Sequence, residues 1–324
     1  MSGPRLLEVL RQLSHEDFVS GADLARRMGC SRATVHNALA QAQDAGVRVH
    51  AVKGRGYRLP LALSWLDLEG LRARLAKRGM SPELFETLPS TNSHLMARAQ
   101  AGAPHRSVAV AEWQTGGRGR RGRVWLAPPG SGIQFSLLWR FGRSVAELSG
   151  LSLAIGVLLV RALQGLGLRD ARVKWPNDVV VGDAKLAGVL IELGGDMLGP
   201  ASAVIGVGLN VCGAETLGPR VGQAVTDLRA HLGAVDRTTV LRVMVEALDA
   251  GLAQFDAEGF SAFSQDWHAC HAHQGREVAL TDGQGARVFG IAQGVDEQGA
   301  LWLRTDEGVR RFHAGEVSLR GAAA

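Results

Sequence analysis

Leu6, Leu7, Val9, Leu10 and Leu13 recur at helical spacing near the start of the chain and predict a first helix with one buried face. Ser20 and Gly21 open a second, shorter helical pattern that Gly29 stops. Ser31 is a natural N-cap for a third helix, which runs to about Ala45 and ends at Gly46. Val47 to Val52 and Tyr57 to Leu59 then flank a Lys53-Gly54-Arg55-Gly56 tip that reads as a hairpin. Three helices and a hairpin predict a winged helix-turn-helix over residues 1–62.

Pro60 to Leu63 reads as a linker, after which strand-like and helix-like patterns mix up to residue 272. Strands are expected at Ser107 to Trp113, Ile133 to Arg140, Arg172 to Trp175, Leu186 to Leu193 and Ala203 to Val211. Long helices are expected near Ser90 to Gln100, Val145 to Leu166 and Thr238 to Ala257. This pattern predicts an α+β domain on one mixed sheet over residues 63–272. From residue 273 to 324 short apolar stretches are separated by glycines, as in Val288-Phe289-Gly290-Ile291 and Leu301-Trp302-Leu303, and predict a small β-barrel.

The 324 residues suffice for two or three domains, and 46% hydrophobic with 21% charged residues fits a soluble globular protein. The most apolar run, Leu148 to Val160, is interrupted by Ser149, Gly150, Ser152 and Gly156 and is too short for a membrane span. Arg5, Glu8, Arg11, His15, Glu16 and Asp17 leave no uninterrupted apolar core for a signal peptide, so a cytoplasmic location is expected. Cys30, Cys212 and Cys270 are too dispersed for a disulfide framework or a cysteine zinc site. His268, Cys270, His271 and His273 crowd together at a spacing that matches no standard metal site, so no metal held by protein side chains is predicted. A net charge of +5 favours anionic partners such as DNA or nucleotide phosphates.

The strongest local feature is Gly116-Gly117-Arg118-Gly119-Arg120-Arg121-Gly122-Arg123, which follows a strand and precedes Trp125. Glycines let the backbone come close to a ligand, and guanidinium groups pair with carboxylate and phosphate oxygens, so the segment reads as a loop closing over an anion. Composition alone also admits, as the lesser reading, a flexible basic loop touching nucleic acid or solvent. Both the P-loop spacing and the dinucleotide fingerprint are missing. A second cluster is Lys174-Trp175-Pro176-Asn177-Asp178 with Lys185-Leu186-Ala187-Gly188, where Lys185 can offer its ammonium to a ligand beside the space left at Gly188. Ser90-Thr91-Asn92 precedes a helix, as a cap or as a set of donors to an anion or a ureido group. Gly206-Val207-Gly208-Leu209-Asn210 is a glycine-spaced strand end.

Taken together and in order, these segments resemble the signatures of biotin protein ligases, and the two flanking domains extend the resemblance over nearly the whole chain, to the bifunctional ligases that also repress the biotin operon. The resemblance implies a class II synthetase-like central domain and an SH3-like form for the C-terminal barrel. It implies catalytic roles for Lys185 and Arg118. Ser90, Thr91, Asn92, Gln114, Arg118, Gly119, Arg120, Lys185 and Gly188 would bind biotin. Arg121, Arg123, Trp125, Lys174, Asn177, Asp178, Asn210 and Arg320 would surround the nucleotide. The implied reaction uses ATP and biotin as substrates, with Mg2+ on the phosphates, and passes biotin to a lysine of the biotin carboxyl carrier protein of acetyl-CoA carboxylase. Val124 stands where relatives often carry a basic residue, and Ile133-Gln134-Phe135 where they are commonly more aromatic.

The third N-terminal helix is expected in the major groove, with Ser31, Arg32, Thr34 and Asn37 at phosphates or bases and Lys53, Arg55 and Arg58 on the wing. Operator DNA and a second copy of the chain, in a homodimer, are the expected partners. Two alternatives remain open at this point. One is a lipoate or octanoate protein ligase, and the other is a transcription factor that senses biotin without turnover.

Overall fold

A computed structural model describes residues 3–195, 199–282, 286–313 and 317–321. The N-terminal unit comprises α1 (Gly3–Gln12), α2 (Gly21–Arg27), α3 (Arg32–Asp44), β1 (His50–Val52) and β2 (Gly56–Arg58). Ser20 caps α2 by accepting from the Asp23 amide, and Ser31 caps α3 by accepting from the Thr34 amide. Each cap satisfies a backbone donor that the first helical turn leaves unpaired. Leu6, Leu7, Leu10, Leu24, Val35 and Leu39 form the core of this unit, and β1 and β2 make the expected wing.

The central unit follows as α4 (Leu68–Lys77), β3 (Ser81–Leu88), α5 (Thr91–Gln100), β4 (Ser107–Gln114), β5 (Gly132–Arg140), α6 (Leu151–Gly165), β6 (Ala171–Lys174), β7 (Asp178–Val181), β8 (Ala184–Gly195), β9 (Ala201–Asn210), α7 (Gly218–Val221), α8 (Leu228–Leu232), α9 (Arg237–Glu258) and α10 (Ser261–Cys270). Its seven-stranded sheet has the order β3-β4-β5-β9-β8-β7-β6. Only β3 and β4 run parallel, so the sheet is mixed as expected.

Because strand side chains alternate between faces, the two sides of this sheet have different chemistry. Ile133, Phe135 and Leu137 of β5 and Ala203, Ile205, Val207 and Leu209 of β9 join Ile155 and Leu159 of α6, Leu241 and Leu248 of α9, and Trp267 of α10 in the main core. On the other face, Leu138 and Val204 meet Leu95 of α5 in a small apolar cluster. Beyond that cluster the same face changes character. Ser136 pairs with Gly206, Gln134 with Gly208 and Gly132 with Asn210, while Glu192, Leu190 and Gly188 of β8 lie opposite Val204, Gly206 and Gly208. Small and polar residues thus replace apolar ones where the sheet leaves α5, and this part of the face carries the site.

Three sequence expectations need correction. The long helix foreseen from Val145 to Leu166 is a 3-10 turn at Val145–Leu148 followed by α6, because Gly150 turns the chain at φ 80°. Strands β3 and β7 were not expected from the apolar pattern. The C-terminal unit is not a barrel. Its strands β10 (Glu277–Asp282), β11 (Arg287–Val295), β12 (Leu301–Thr305), β13 (Gly308–Phe312) and β14 (Val317–Gly321) form one antiparallel sheet in the order β13-β12-β11-β10-β14. Among the described residues the edge strands β13 and β14 do not pair with each other, so the SH3-like closure is not made. The apolar side chains of this sheet, including Val278, Leu280, Val295, Leu301 and Leu303, join the core of the central unit instead of enclosing one of their own. Trp175 fastens the same seam by donating its indole Nε1 to the Gly299 carbonyl at 3.1 Å. No helix among the described residues is long and apolar enough to cross a membrane.

Candidate active site

The Ser90-Thr91-Asn92 segment places three side chains at the head of α5, all nearly buried. The Gln114 side-chain oxygen accepts from the Thr91 amide at 2.6 Å and from the Thr91 hydroxyl at 3.1 Å. Ser136, fully buried on β5, lies 2.7 Å from the Thr91 hydroxyl and 2.6 Å from Asn92 Oδ1. Asn92 in turn donates to the Glu192 carboxylate at 2.8 Å and to the Leu190 carbonyl at 3.2 Å. A Cβ at position 206 would collide with Asn92 Oδ1, so the close seat of this amide on β9 requires glycine there. The result is a cradle of neutral donors and acceptors in fixed orientations.

Beside it the basic loop folds back on itself. The Trp125 amide donates to Gly117, the Gly119 amide donates to Arg123, and Arg118 bridges to Val124. Arg118 reaches across to Glu192, its Nη2 lying 2.9 and 3.0 Å from the two carboxylate oxygens. Arg120 donates to Asn177 Oδ1 at 3.2 Å. Burial, reinforced by the Arg121 charge beside it, lowers the Arg120 pKa from its ordinary value. The Trp125 indole lies over Gly208, where an added Cβ would strike the ring.

Lys185 owes its place to an irregularity. Between β7 and β8 the register shifts, with Val179 opposite Ala187 but Val180 opposite Lys185, so Leu186 is an extra residue in β8. A bulge reverses the alternation beyond it, and Lys185 therefore shares the site face with Asp178 and Gly188. Its ammonium stands 2.7 Å from Asp178 Oδ1 and 5.6 Å from the centroid of the Trp125 ring. The Lys185 backbone pairs with the segment at Ala224 to Thr226, and Asn210 holds that segment by donating to the Thr226 carbonyl at 3.1 Å.

Most of these groups line one cavity of about 490 Å³, with Ser136 and Glu192 outside its lining. Its wall includes every residue expected to bind biotin or nucleotide except Arg320. Arg320 lies on β14 opposite Ala279, and its side chain falls outside the described residues. Asn210 spends its amide on backbone carbonyls, and Asn177 donates to Val189 at 2.7 Å, so both brace the wall. Sequence reasoning missed Ser136, Glu192 and the wall segment from Leu217 to Val225, which includes Arg220. Glu192 was detectable in principle as a lone acid in an apolar strand, whereas the 217–225 segment carries no motif. Arg220 also reaches the N-terminal unit, where it donates to the Asp44 carbonyl at the end of α3 at 3.4 Å.

In the N-terminal unit Arg32, Asn37, Lys53 and Arg55 are exposed, and Arg55 lies 4.5 Å from the Phe18 ring centroid. Ser31 and Thr34 engage each other at the α3 cap, their hydroxyls 2.9 Å apart. His271 and His273 are buried at the junction with the C-terminal sheet, and no group of metal-holding side chains occurs among the described residues.

A neutral polar cradle joined to a cationic chamber on one face of a mixed sheet defines an enzyme that holds a polar headgroup and neutralises an anionic reacting end. The "Biotin/lipoate A/B protein ligase family" model matches residues 84–210, an "HTH domain" model matches 5–58, and a "Biotin protein ligase C terminal domain" model matches 273–320. The chain is similar to the bifunctional ligase/repressor BirA of Escherichia coli, with 35% identity over 98% of this chain and 97% of that protein. The corresponding protein of Bacillus subtilis is 28% identical over 97% of each. Among solved structures, the biotin protein ligase from Aquifex aeolicus in complex with biotin and ATP superposes with a TM-score of 0.64 at 28% identity, covering 75% of this chain and 99% of that one. The chain belongs to the bifunctional ligase/repressor family of biotin protein ligases.

Proposed function

We infer that this chain joins biotin to a protein lysine at the expense of ATP, through biotinyl-5'-AMP. The observation that carries this reading is the single cavity with its two kinds of wall, neutral and directional at Ser90, Thr91, Asn92 and Gln114, cationic at Arg118, Arg120 and Lys185. The cradle suits the ureido ring of biotin, which presents both donors and an acceptor. In the first step a biotin carboxylate oxygen attacks the α-phosphorus of ATP and pyrophosphate leaves. That step brings anions together, and fixed positive charge on Lys185, Arg118 and Arg120 stabilises its transition state. In the second step the uncharged ε-amine of an acceptor lysine attacks the acyl carbon, AMP leaves, and the amine loses a proton. The folded basic loop shields the mixed anhydride from water between the steps.

Among the described residues Asp178 is the one carboxylate in the cavity wall, and it is already paired with Lys185. These donors do not make a magnesium cage, and Mg2+ would arrive on the nucleotide phosphates with most of its ligands supplied by oxygen atoms of ATP and water. The acceptor is the biotin carboxyl carrier protein of acetyl-CoA carboxylase. Arg32, Asn37, Lys53 and Arg55 give the N-terminal unit a basic, exposed surface for operator DNA, bound by a two-fold dimer that represses biotin genes in the cytoplasm. We place the domain seams near residues 62 and 272.

Biotin-dependent release of pyrophosphate from ATP tests the reading directly. The parent protein is expected to release pyrophosphate with biotin and not with lipoate. Lys185→Ala should slow the step by about 100-fold or more, the scale of removing one group that stabilises transition-state charge. Release with lipoate in preference to biotin, or biotin binding without any release, would reject it.

A further inference from the structure

We propose that Glu192 is a positioning residue that ties the basic loop to the biotin cradle by holding Arg118. The inference rests on the ligase reading and extends it to a residue with no part in the chemistry. Glu192 lies on β8 on the site face of the sheet, opposite Val204. Its Oε2 accepts from Asn92 at 2.8 Å and from Arg118 at 2.9 Å, and its Oε1 accepts from Arg118 at 3.0 Å. One carboxylate therefore ties the arginine-bearing part of the loop to Asn92 at the head of α5, beyond the backbone bond from the Gly116 amide to Pro89 at the loop's base. Arg118 is about half exposed and bridges to Val124 across the base of the loop, so holding its guanidinium holds the loop's near strand.

The network continues beyond Glu192. Gln114, Thr91, Ser136, Asn92, Glu192 and Arg118 form an unbroken run of hydrogen bonds from the floor of the cradle to the loop. Both ends of the run face the cavity, whereas Glu192 does not line it. A carboxylate can serve Asn92 and Arg118 together because it has two accepting oxygens and a full charge, and charge-assisted bonds to guanidinium are the stronger kind. A glutamine carries no charge and puts an NH2 donor in place of one oxygen, so it loses the Oε1 contact and the charge-assisted hold on Arg118 even where its remaining oxygen still accepts from Asn92. Glu192 touches no reacting atom and acts only through Arg118 and Asn92, so its loss should appear chiefly in how tightly biotin and the activated intermediate are retained.

The test uses the full-length parent, Glu192→Gln, Glu192→Asp, Arg118→Ala and the double variant Glu192→Gln/Arg118→Ala. Biotin KM and kcat are measured by pyrophosphate release, and dissociation of preformed biotinyl-5'-AMP is followed in the absence of acceptor. Glu192→Gln is expected to raise biotin KM and the dissociation rate by about fivefold, the scale of a partly exposed charge-assisted bond, and to lower kcat by less than Arg118→Ala does. Glu192→Asp, which keeps the charge, should recover part of the retention. The double variant should lose the intermediate no faster than Arg118→Ala alone, because the two residues act through one contact. An unchanged dissociation rate in Glu192→Gln, or a double variant that adds the two single effects, overturns the proposal. A parent that releases no pyrophosphate with biotin overturns the ligase reading instead, so the two failures are distinct.

Discussion

At the scale of single residues, the site is shaped as much by atoms that are missing as by those present. Gly208 sits on β9, which is hydrogen-bonded on both sides by β5 and β8 and cannot retreat. A methyl group there would strike the Trp125 indole, which lies directly above. Gly208→Ala should therefore expel the indole from its seat and leave the sheet intact. The expected result is a rise of about tenfold in the KM for ATP, the equivalent of the roughly 1–3 kcal/mol that overpacking costs. Far-UV circular dichroism should be unchanged, and a KM for ATP equal to the parent's would show that Trp125 has no place in the nucleotide site. The glycine spacing of residues 206–210 was plain in the sequence, but its reason was not. The groups that need the space, Asn92 and Trp125, come from distant parts of the chain.

Elements with strong local signals were legible in advance, and those defined by tertiary partners were not. Ser20, Ser31 and Gly46 marked the N-terminal helices because caps act within a few residues. The bulge at Leu186, which aims Lys185, depends on the pairing of β7 with β8 and has no local sign. Likewise, the apolar alternation of the C-terminal strands showed a sheet but not whether it would close or lie against another core. That junction contains a second feature with a measurable consequence. His271 stacks on Trp267 with centroids 4.3 Å apart, and the amide of Ala272 donates to Val173 of β6 at 2.8 Å. Burial pushes the pKa values of His271 and His273 down to about 4, aided for His273 by Lys174 and Arg276 and opposed by Asp183. For His271, Gln274 opposes the shift and His273 and His268 add to it.

Since the unfolded chain takes up these protons near pH 6.5 and the folded chain only near pH 4, folding binds fewer protons between those values. Their contribution to stability is complete above about pH 6.5 and declines as the pH falls toward 4. Urea denaturation at pH 7.5 and pH 5 should show a loss of at most roughly 2 kcal/mol per histidine. His271→Gln/His273→Gln should flatten that dependence. If the double variant loses as much stability as the parent between the two pH values, these histidines do not titrate as described.

At the scale of the whole molecule, one buried ion pair fixes how the three parts of the path between the DNA-binding unit and the sheet meet. Arg237, in the first turn of α9, and Glu112, on β4, are both fully buried and 2.6 Å apart. Arg237 also donates to the carbonyls of Ser64 and Gly132, and Glu112 accepts from the Leu66 amide at 2.9 Å. The linker, the central sheet and α9 are thus held by one charged node, while Arg48–Glu215 and Arg11–Glu86, each 2.6 Å, dock the N-terminal unit at the surface. The pairing of these residues was not visible in the sequence. Arg237 stands just ahead of the helix expected from Thr238 and belongs to no motif, and Glu112 is a single acid in an apolar strand. Removing either partner strands the other charge away from water, and Arg237→Met should lower unfolding stability by about 3–5 kcal/mol. Arg237→Met/Glu112→Leu should recover part of that loss because no charge is then left buried, although the backbone groups of Ser64, Leu66 and Gly132 lose a partner. By contrast, Glu215→Gln should change stability by less than about 1 kcal/mol, as expected for an exposed pair. Equal losses in the single and double Arg237 variants would mean that the backbone contacts, rather than the charge pair, hold this node together.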